Sequence, residues 1–138
     1  MSDLDALQAA LAAEHAAIYG YGLLGAHLTG ARQQAATAVW EAHRARRDRL
    51  ATLIAGLGGT PVAAQPAYRL PVQVTSARTA AQLAVALEQN VLTGYVGLAG
   101  ATGPALRKVA AQAMQEAMTR QIRWGGSGLA TAFPGLRQ

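Results

Sequence analysis

Four side chains able to do acid–base or metal chemistry stand at matched places in this chain: Glu14, His43, Glu88 and Glu116. Each lies about 13 to 15 residues from a Thr-Gly punctuation, Thr29-Gly30 for the first pair and Thr102-Gly103 for the second. In antiparallel helical hairpins equal counts from the turn mean equal heights. The four groups are therefore expected at one level, about 20 Å from the turns at 1.5 Å per residue. Carboxylates and imidazole gathered inside a helical bundle can hold two divalent ions, iron or manganese, because hard oxygen ligands and imidazole suit both. The competing chemistry is buried ion pairing. Arg47 and Arg120 come one helical turn after His43 and Glu116, where a guanidinium would take the place of a cation and repel metal. Glu14 then pairs with Arg47 and Glu116 with Arg120, assisted by Tyr21 and Tyr95. Such pairs need full hydrogen bonding to offset desolvation.

The elements that must position these groups are helices. Ser2-Asp3-Leu4-Asp5 has the form of a helix start, with a capping hydroxyl and two acids at the positive end. Leu4, Leu7, Leu11, Ile18, Tyr21 and Leu28 follow on three-four spacing, which predicts a helix over 3–28. A second helix is expected over 31–57, with Trp40, Leu50, Leu53 and Ile54 on its apolar side, stopped by Gly58-Gly59-Thr60-Pro61. Residues 58–75 hold Pro61, Pro66 and Pro71 and read as an extended crossover. Pro71–Val74 could pass for a strand, but nothing else in the chain could pair with it. The third helix, over 76–99, carries Leu83, Leu87, Val91, Tyr95 and Leu98. The fourth, over 104–124, begins at Pro104, carries Leu106, Val109, Met114, Met118 and Ile122, and fades at Gly125-Gly126. The tail is expected to be irregular and pinned by Phe133. A crossover of this length can run the whole length of the bundle and start the third helix at the far end. The fold class is thus all-α: one domain over 1–138, an antiparallel four-helix bundle of two hairpins joined by one long crossover.

The two hairpins repeat. Glu14, Gly20, Tyr21 and Leu24 return at a fixed offset as Glu88, Gly94, Tyr95 and Leu98. The turns Thr29-Gly30-Ala31 and Thr102-Gly103-Pro104 match with a shift of one residue. With that shift His43 aligns with Glu116 and Arg47 with Arg120. Two similar hairpins about a pseudo-twofold axis are expected. The helical glycines, each costing about 1 kcal/mol against Ala, imply close helix approach.

Composition sets the surroundings. Alanine accounts for 33 of 138 residues, so the core is thin and its helices must come close. There is no cysteine, which excludes disulfides, thiolate zinc sites and cysteine nucleophiles. Serine hydrolase, P-loop and dinucleotide signatures are absent. No apolar run is long enough for a membrane span, and Met1–Asp5 is acidic rather than signal-like, so a soluble cytoplasmic protein is expected. The net charge is +5, with Arg44, Arg46, Arg47 and Arg49 crowded on one helix. Such a run could contact phosphates, but it spreads around the helix and reads better as a solvated face with one inward Arg. His15 and His27 are expected at the surface or satisfied near a turn.

The stretches Ala12–Gly22 and His43–Asp48 and the tail Phe133-Pro134-Gly135 resemble the ferritin-like superfamily, and within it an alanine-rich actinobacterial family of unknown function. That resemblance covers essentially the whole chain. It implies Glu on the first and third helices and Glu-x-x-His on the second and fourth as metal ligands. The chain departs from this pattern twice: Trp40 stands at the Glu place before His43, and Thr119 at the His place after Glu116. Glu41 is one residue out of frame. The expected function is a non-catalytic ferritin-like domain, dimeric through an apolar helix face, with a charge network in place of the metal centre and no cofactor. The rival readings are a degenerate metal-binding or di-iron carboxylate oxidoreductase, holding iron or manganese at Glu14, His43, Glu88 and Glu116, and a basic nucleic-acid-associated protein.

Overall fold

The computed structural model describes the backbone of residues 1–132 and the side chains of 1–125; the expected pinning by Phe133 lies outside the described residues. Helix α1 spans Asp3–Leu24 and ends in a 3-10 turn, Gly25–His27. Helix α2 spans Gly30–Gly56. After the crossover come α3, Ala77–Gly94, and the single turn α4, Val96–Ala99. Helix α5 spans Pro104–Ala132. The first helix is therefore shorter than the apolar stripe predicts. The third is interrupted at Tyr95, whose N–H is shared between the carbonyls of Val91 and Leu92. The fourth passes through Gly125-Gly126, because glycine weakens a helix without breaking it.

Capping fixes the starts. The Ser2 hydroxyl accepts the Asp5 N–H at 3.0 Å. Ser76 and Thr79 form a reciprocal capping box on α3, satisfying donors that the first turn leaves free. These caps stand 74 positions apart, the same separation as Glu14 and Glu88, and so do the helix starts Gly30 and Pro104. One offset thus governs both arms of the repeat. The one-residue shift expected for the second arms does not occur, because the second hairpin begins its outer helix directly after Gly103.

Helices α1 and α3 lie against each other antiparallel at the centre; α2 packs on α1 and α5 on α3. Among the described residues α2 and α5 scarcely touch. The core follows the central pair: Leu7, Leu11, Tyr21 and Leu24 from one side, Leu83, Leu87, Val91, Tyr95 and Leu98 from the other, with alanines between them. Asp3 joins the two lower helix starts. Its carboxylate accepts the N–H and hydroxyl of Thr102, both at 2.9 Å, and the N–H of Gly103 at 3.2 Å. The Thr102 N–H, chief among these donors, holds the carboxyl below its ordinary value.

The crossover contains no strand; Leu70, Val72 and Val74 instead rest on the core. It is strapped to α1 by side chains with no periodic signal. Gln8 donates to the Thr60 carbonyl at 2.7 Å and accepts the Val62 N–H at 2.8 Å. His15 Nε2 meets the Val62 carbonyl at 2.8 Å, and the Tyr19 and Tyr68 rings lie 5.6 Å apart. His15 is thereby satisfied, by the crossover at mid-helix rather than near a turn. Among the described residues no helix is long and apolar enough to cross a membrane.

The close approach of α1 and α3 depends on the symmetry-related glycines. A Cβ on Gly94 would stand 2.5 Å from the Ala13 Cβ and 3.4 Å from the Ala9 carbonyl oxygen. On Gly20 it would strike the Leu87 side chain, at 2.4 Å from its nearest methyl. Backbone-anchored Ala13 cannot turn away, whereas Leu87 can partly repack. Gly94→Ala is expected to destabilise by about 1–2 kcal/mol despite better helix propensity, since overpacking costs roughly 1–3 kcal/mol. Gly20→Ala should lose less. Gly25→Ala, which meets nothing within 4 Å, should be neutral or gain up to about 1 kcal/mol. Urea unfolding of the three variants checks the order.

Candidate functional site

At mid-height two carboxyl groups and an imidazole are almost wholly buried: Glu14 from α1, His43 from α2 and Glu88 from α3. Apolar spacing brings each inward, with Leu11 and Ala17 flanking Glu14, Leu50 following His43 two turns on, and Leu87 and Val91 beside Glu88. The imidazole lies between the two carboxylates. Nδ1 is 2.5 Å from Glu14 Oε1 and Nε2 is 2.9 Å from Glu88 Oε2. Both ring nitrogens face carboxyl oxygens; with both carboxylates ionised, both nitrogens donate, as in the imidazolium.

Tyrosines complete the cluster. Tyr21 of α1 donates its hydroxyl to Glu88 Oε2, and Tyr95, just after α3, donates to Glu14 Oε2, each at 2.5 Å. The two bonds are images of one another under the repeat: each hairpin gives a hydroxyl to the other's carboxylate. Burial, reinforced by the neighbouring carboxylates, pushes both phenols well above their ordinary value, so they remain donors. Burial by itself disfavours charge on His43, but its hydrogen bonds and attraction to Glu14 and Glu88 outweigh that and raise it to about 9. Glu88 Oε1 is buried without a hydrogen bond. Beyond the imidazolium, the cation beside this oxygen is Arg120, with Nη1 at 3.8 Å. Two carboxylates, one imidazolium and this guanidinium leave the cluster electrically balanced.

Of the expected network, Glu14, Tyr21, His43, Glu88 and Tyr95 are brought together, with Arg120 at the edge. Glu116 and Arg47 are not. The Glu116 side chain is 46% exposed and is held by Arg46 Nη2 at 3.1 Å and Arg120 Nη2 at 3.6 Å. Helix α5 buries Ala113 and Ala117 in its place. Register explains this. At the true offset the partner of His43 is Ala117, and the partner of Trp40 is Met114. At that offset the ligand places that the resemblance implies on α5 move to Met114 and Ala117, so three of the six hold a ligand type. Arg47 does not pair with Glu14; its side chain is 30% exposed and bonds Asp48 at 2.9 Å. The residue related to Arg120 by the repeat is Arg46, which sequence reasoning passed over. The offset read from the two Ser caps would have found it.

A cavity of about 10 Å³, lined by Glu14, His43, Arg46, Glu116 and Arg120 among others, adjoins the cluster. It is no larger than a single water needs. Among the described residues no group of three or more His, Asp or Glu is arranged to hold an ion. The basic run is largely engaged within the molecule: Arg44 stacks 4.5 Å over Trp40 and lies 3.5 Å from Glu41, while Arg46 and Arg47 bond Glu116 and Asp48.

Because the folded state raises the affinity of His43 for its proton, the stabilisation from its charge is complete below about pH 6.5 and is lost as pH rises through about 9. The difference is on the order of 3 kcal/mol. The melting temperature is expected to fall across this window, and His43→Gln should remove that slope while lowering stability at pH 6. Arg47→Leu should change stability by no more than about 0.5 kcal/mol, as for other surface substitutions. Thermal unfolding at several pH values checks both.

Residues 6–138 match the family described as Domain of unknown function (DUF4439). The chain is similar to a conserved hypothetical protein of Mycobacterium tuberculosis known from its crystal structure. The identity is 35%, the TM-score 0.85, and the match covers 89% of this chain and 94% of that one. It is also similar in fold to the bacterioferritin-related protein of Bacteroides fragilis, a dodecameric thioferritin. That identity is 18% and the TM-score 0.58, over 98% of this chain and 88% of the other. No curated protein matches. With its two antiparallel hairpins and long crossover, the chain belongs to the DUF4439 family and has the four-helix fold of the ferritin-like superfamily.

Proposed function

We propose that this protein is a non-catalytic ferritin-like domain in which a hydrogen-bonded charge network stands where related bundles hold metal. The observation that carries this reading is His43, whose two ring nitrogens are both committed to carboxylates. A metal ligand must present a free nitrogen lone pair, and here neither is free. Three of the four carboxylate oxygens already accept hydrogen bonds. The ligand places at Trp40, Met114 and Ala117 offer no oxygen or imidazole, so these residues do not fit a two-metal centre. A guanidinium beside Glu88 adds positive charge where a second cation would sit.

The reading assigns the protein to a binding or assembly role rather than to redox chemistry. It includes a homo-oligomer, in its simplest form a dimer, supported by exposed Met118 and Ile122 on one side of α5. It also includes membership of an alanine-rich actinobacterial branch, which the mycobacterial relative supports, and a cytoplasmic setting. Contact of the basic run with nucleic acid is disfavoured by the internal partners of Arg44, Arg46 and Arg47.

Protein produced with added iron and manganese, then desalted, should carry far less than one ion per chain by elemental analysis, and its stability should not respond to either metal or to a chelator. One or two ions per chain, lost together with stability on chelation, would overturn the reading.

A further inference from the structure

The outer helices α2 and α5 scarcely meet, and the gap between their upper halves is a cavity of about 430 Å³. That lies within the usual range for small-molecule sites. Its walls carry Arg32 from α2 and Arg120 and Arg123 from α5, with an apolar lining that includes Ala35, Val39 and Trp124. No carboxylate is among the described lining residues. Among the described residues, none of the three guanidinium groups makes a hydrogen bond within the protein, and Arg32 and Arg123 have no ion pair either. Arg120 has only its longer contacts to Glu88 and Glu116, at 3.8 and 3.6 Å. Arg32 and Arg123, without a partner among the described residues, and Arg120, held only by its longer contacts, thus line one mostly apolar hollow.

We propose that this cavity binds a small organic phosphate monoester with a ring-sized apolar body. The phosphate is favoured over a carboxylate by charge and acceptor number. It brings nearly two negative charges and three terminal oxygens, against one charge and two oxygens. Arginine forks match those oxygens in paired, charge-assisted hydrogen bonds. The apolar body suits the rest of the lining, in which Trp124 and Val39 are half-buried and Ala35 is exposed. An extended nucleic-acid strand fits less well, since each of its phosphates carries one charge and the three arginines surround a pocket rather than follow a track.

The test uses the whole protein and phenyl phosphate, with the two indole N–H signals followed by NMR. Trp124 lines this cavity and Trp40 lies outside it, so Trp40 serves as an internal control; Trp124→Phe assigns the signals. The expected result is a saturable shift of the Trp124 signal with Trp40 unmoved. Phenol should bind far more weakly, as should inorganic phosphate, since each lacks half of the recognition. Phenylacetate should be weaker than phenyl phosphate. Arg32 and Arg123 are exposed, so Arg32→Gln with Arg123→Gln should fold normally by circular dichroism and weaken binding roughly tenfold or more. Absence of a saturable Trp124 shift would overturn the proposal. So would equal binding of phenol, or an affinity unchanged in the folded double variant. Tighter binding of a short oligothymidylate than of phenyl phosphate would overturn it in favour of a nucleic-acid surface.

Discussion

Taking a charge out of water costs several kcal/mol even after the protein relaxes, and this chain buries three at one level. The imidazolium of His43 between Glu14 and Glu88 makes that arrangement tolerable, and much of the bundle is organised around keeping it there. Without the imidazolium, two carboxylates would face each other in an apolar interior. Without either carboxylate, a cation would be stranded. The helices must hold their register so that the ring reaches both partners at hydrogen-bond distance. The glycines that let α1 and α3 approach also set how near the two carboxylates come. Packing and electrostatics are therefore one constraint. The alanine-rich interface brings the helices close, and closeness makes one imidazole long enough to bridge two of them.

The repeat explains why one imidazole suffices. Glu14 and Glu88 are symmetry mates, as are Tyr21 and Tyr95, but His43 has no counterpart, because Ala117 occupies the related place. A second imidazolium there would compete for the same oxygens and leave excess positive charge in the interior. Ala117 adds no second charge, and Arg120 supplies the remaining positive charge from the edge, where its guanidinium is partly hydrated. The symmetry of the backbone is thus broken at the one place where charge balance requires it.

Much of this was legible in the sequence, for physical reasons. Glu14 and Glu88 interrupt strong apolar stripes within matching Gly-Tyr contexts, and a charge on such a stripe has nowhere to go but inward. The crossover was legible from its prolines. Glu116 was misread because helix phase is sensitive to a single residue, which turns a side chain by about 100°. Counting from the turns placed it inward, while Ala113 and Ala117 carried the seam. Confusing Arg47 with Arg46 is the same error on the opposite helix. The straps from Gln8 and His15 to the crossover could not be read at all, because an irregular segment docks through backbone groups that leave no periodic trace. The open groove between α2 and α5 was likewise hidden, since it depends on how far apart the two outer helices stand.

The exchange of hydroxyls between hairpins has a consequence for assembly. The first hairpin contains Glu14 and His43, and the second contains Glu88 and Arg120, so each half carries an opposite-charge pair of its own. The halves can come together without either desolvating a net charge. What docking adds is reciprocal: a tyrosine hydroxyl from each side for the other's carboxylate, and the second carboxylate for the imidazole. Each half balances its own buried charges, and the tyrosine hydroxyls and the second imidazole contact are engaged only when the halves are joined. Correct pairing of the hairpins is then selected by donors and acceptors meeting in register, a criterion that a purely apolar alanine interface could not supply.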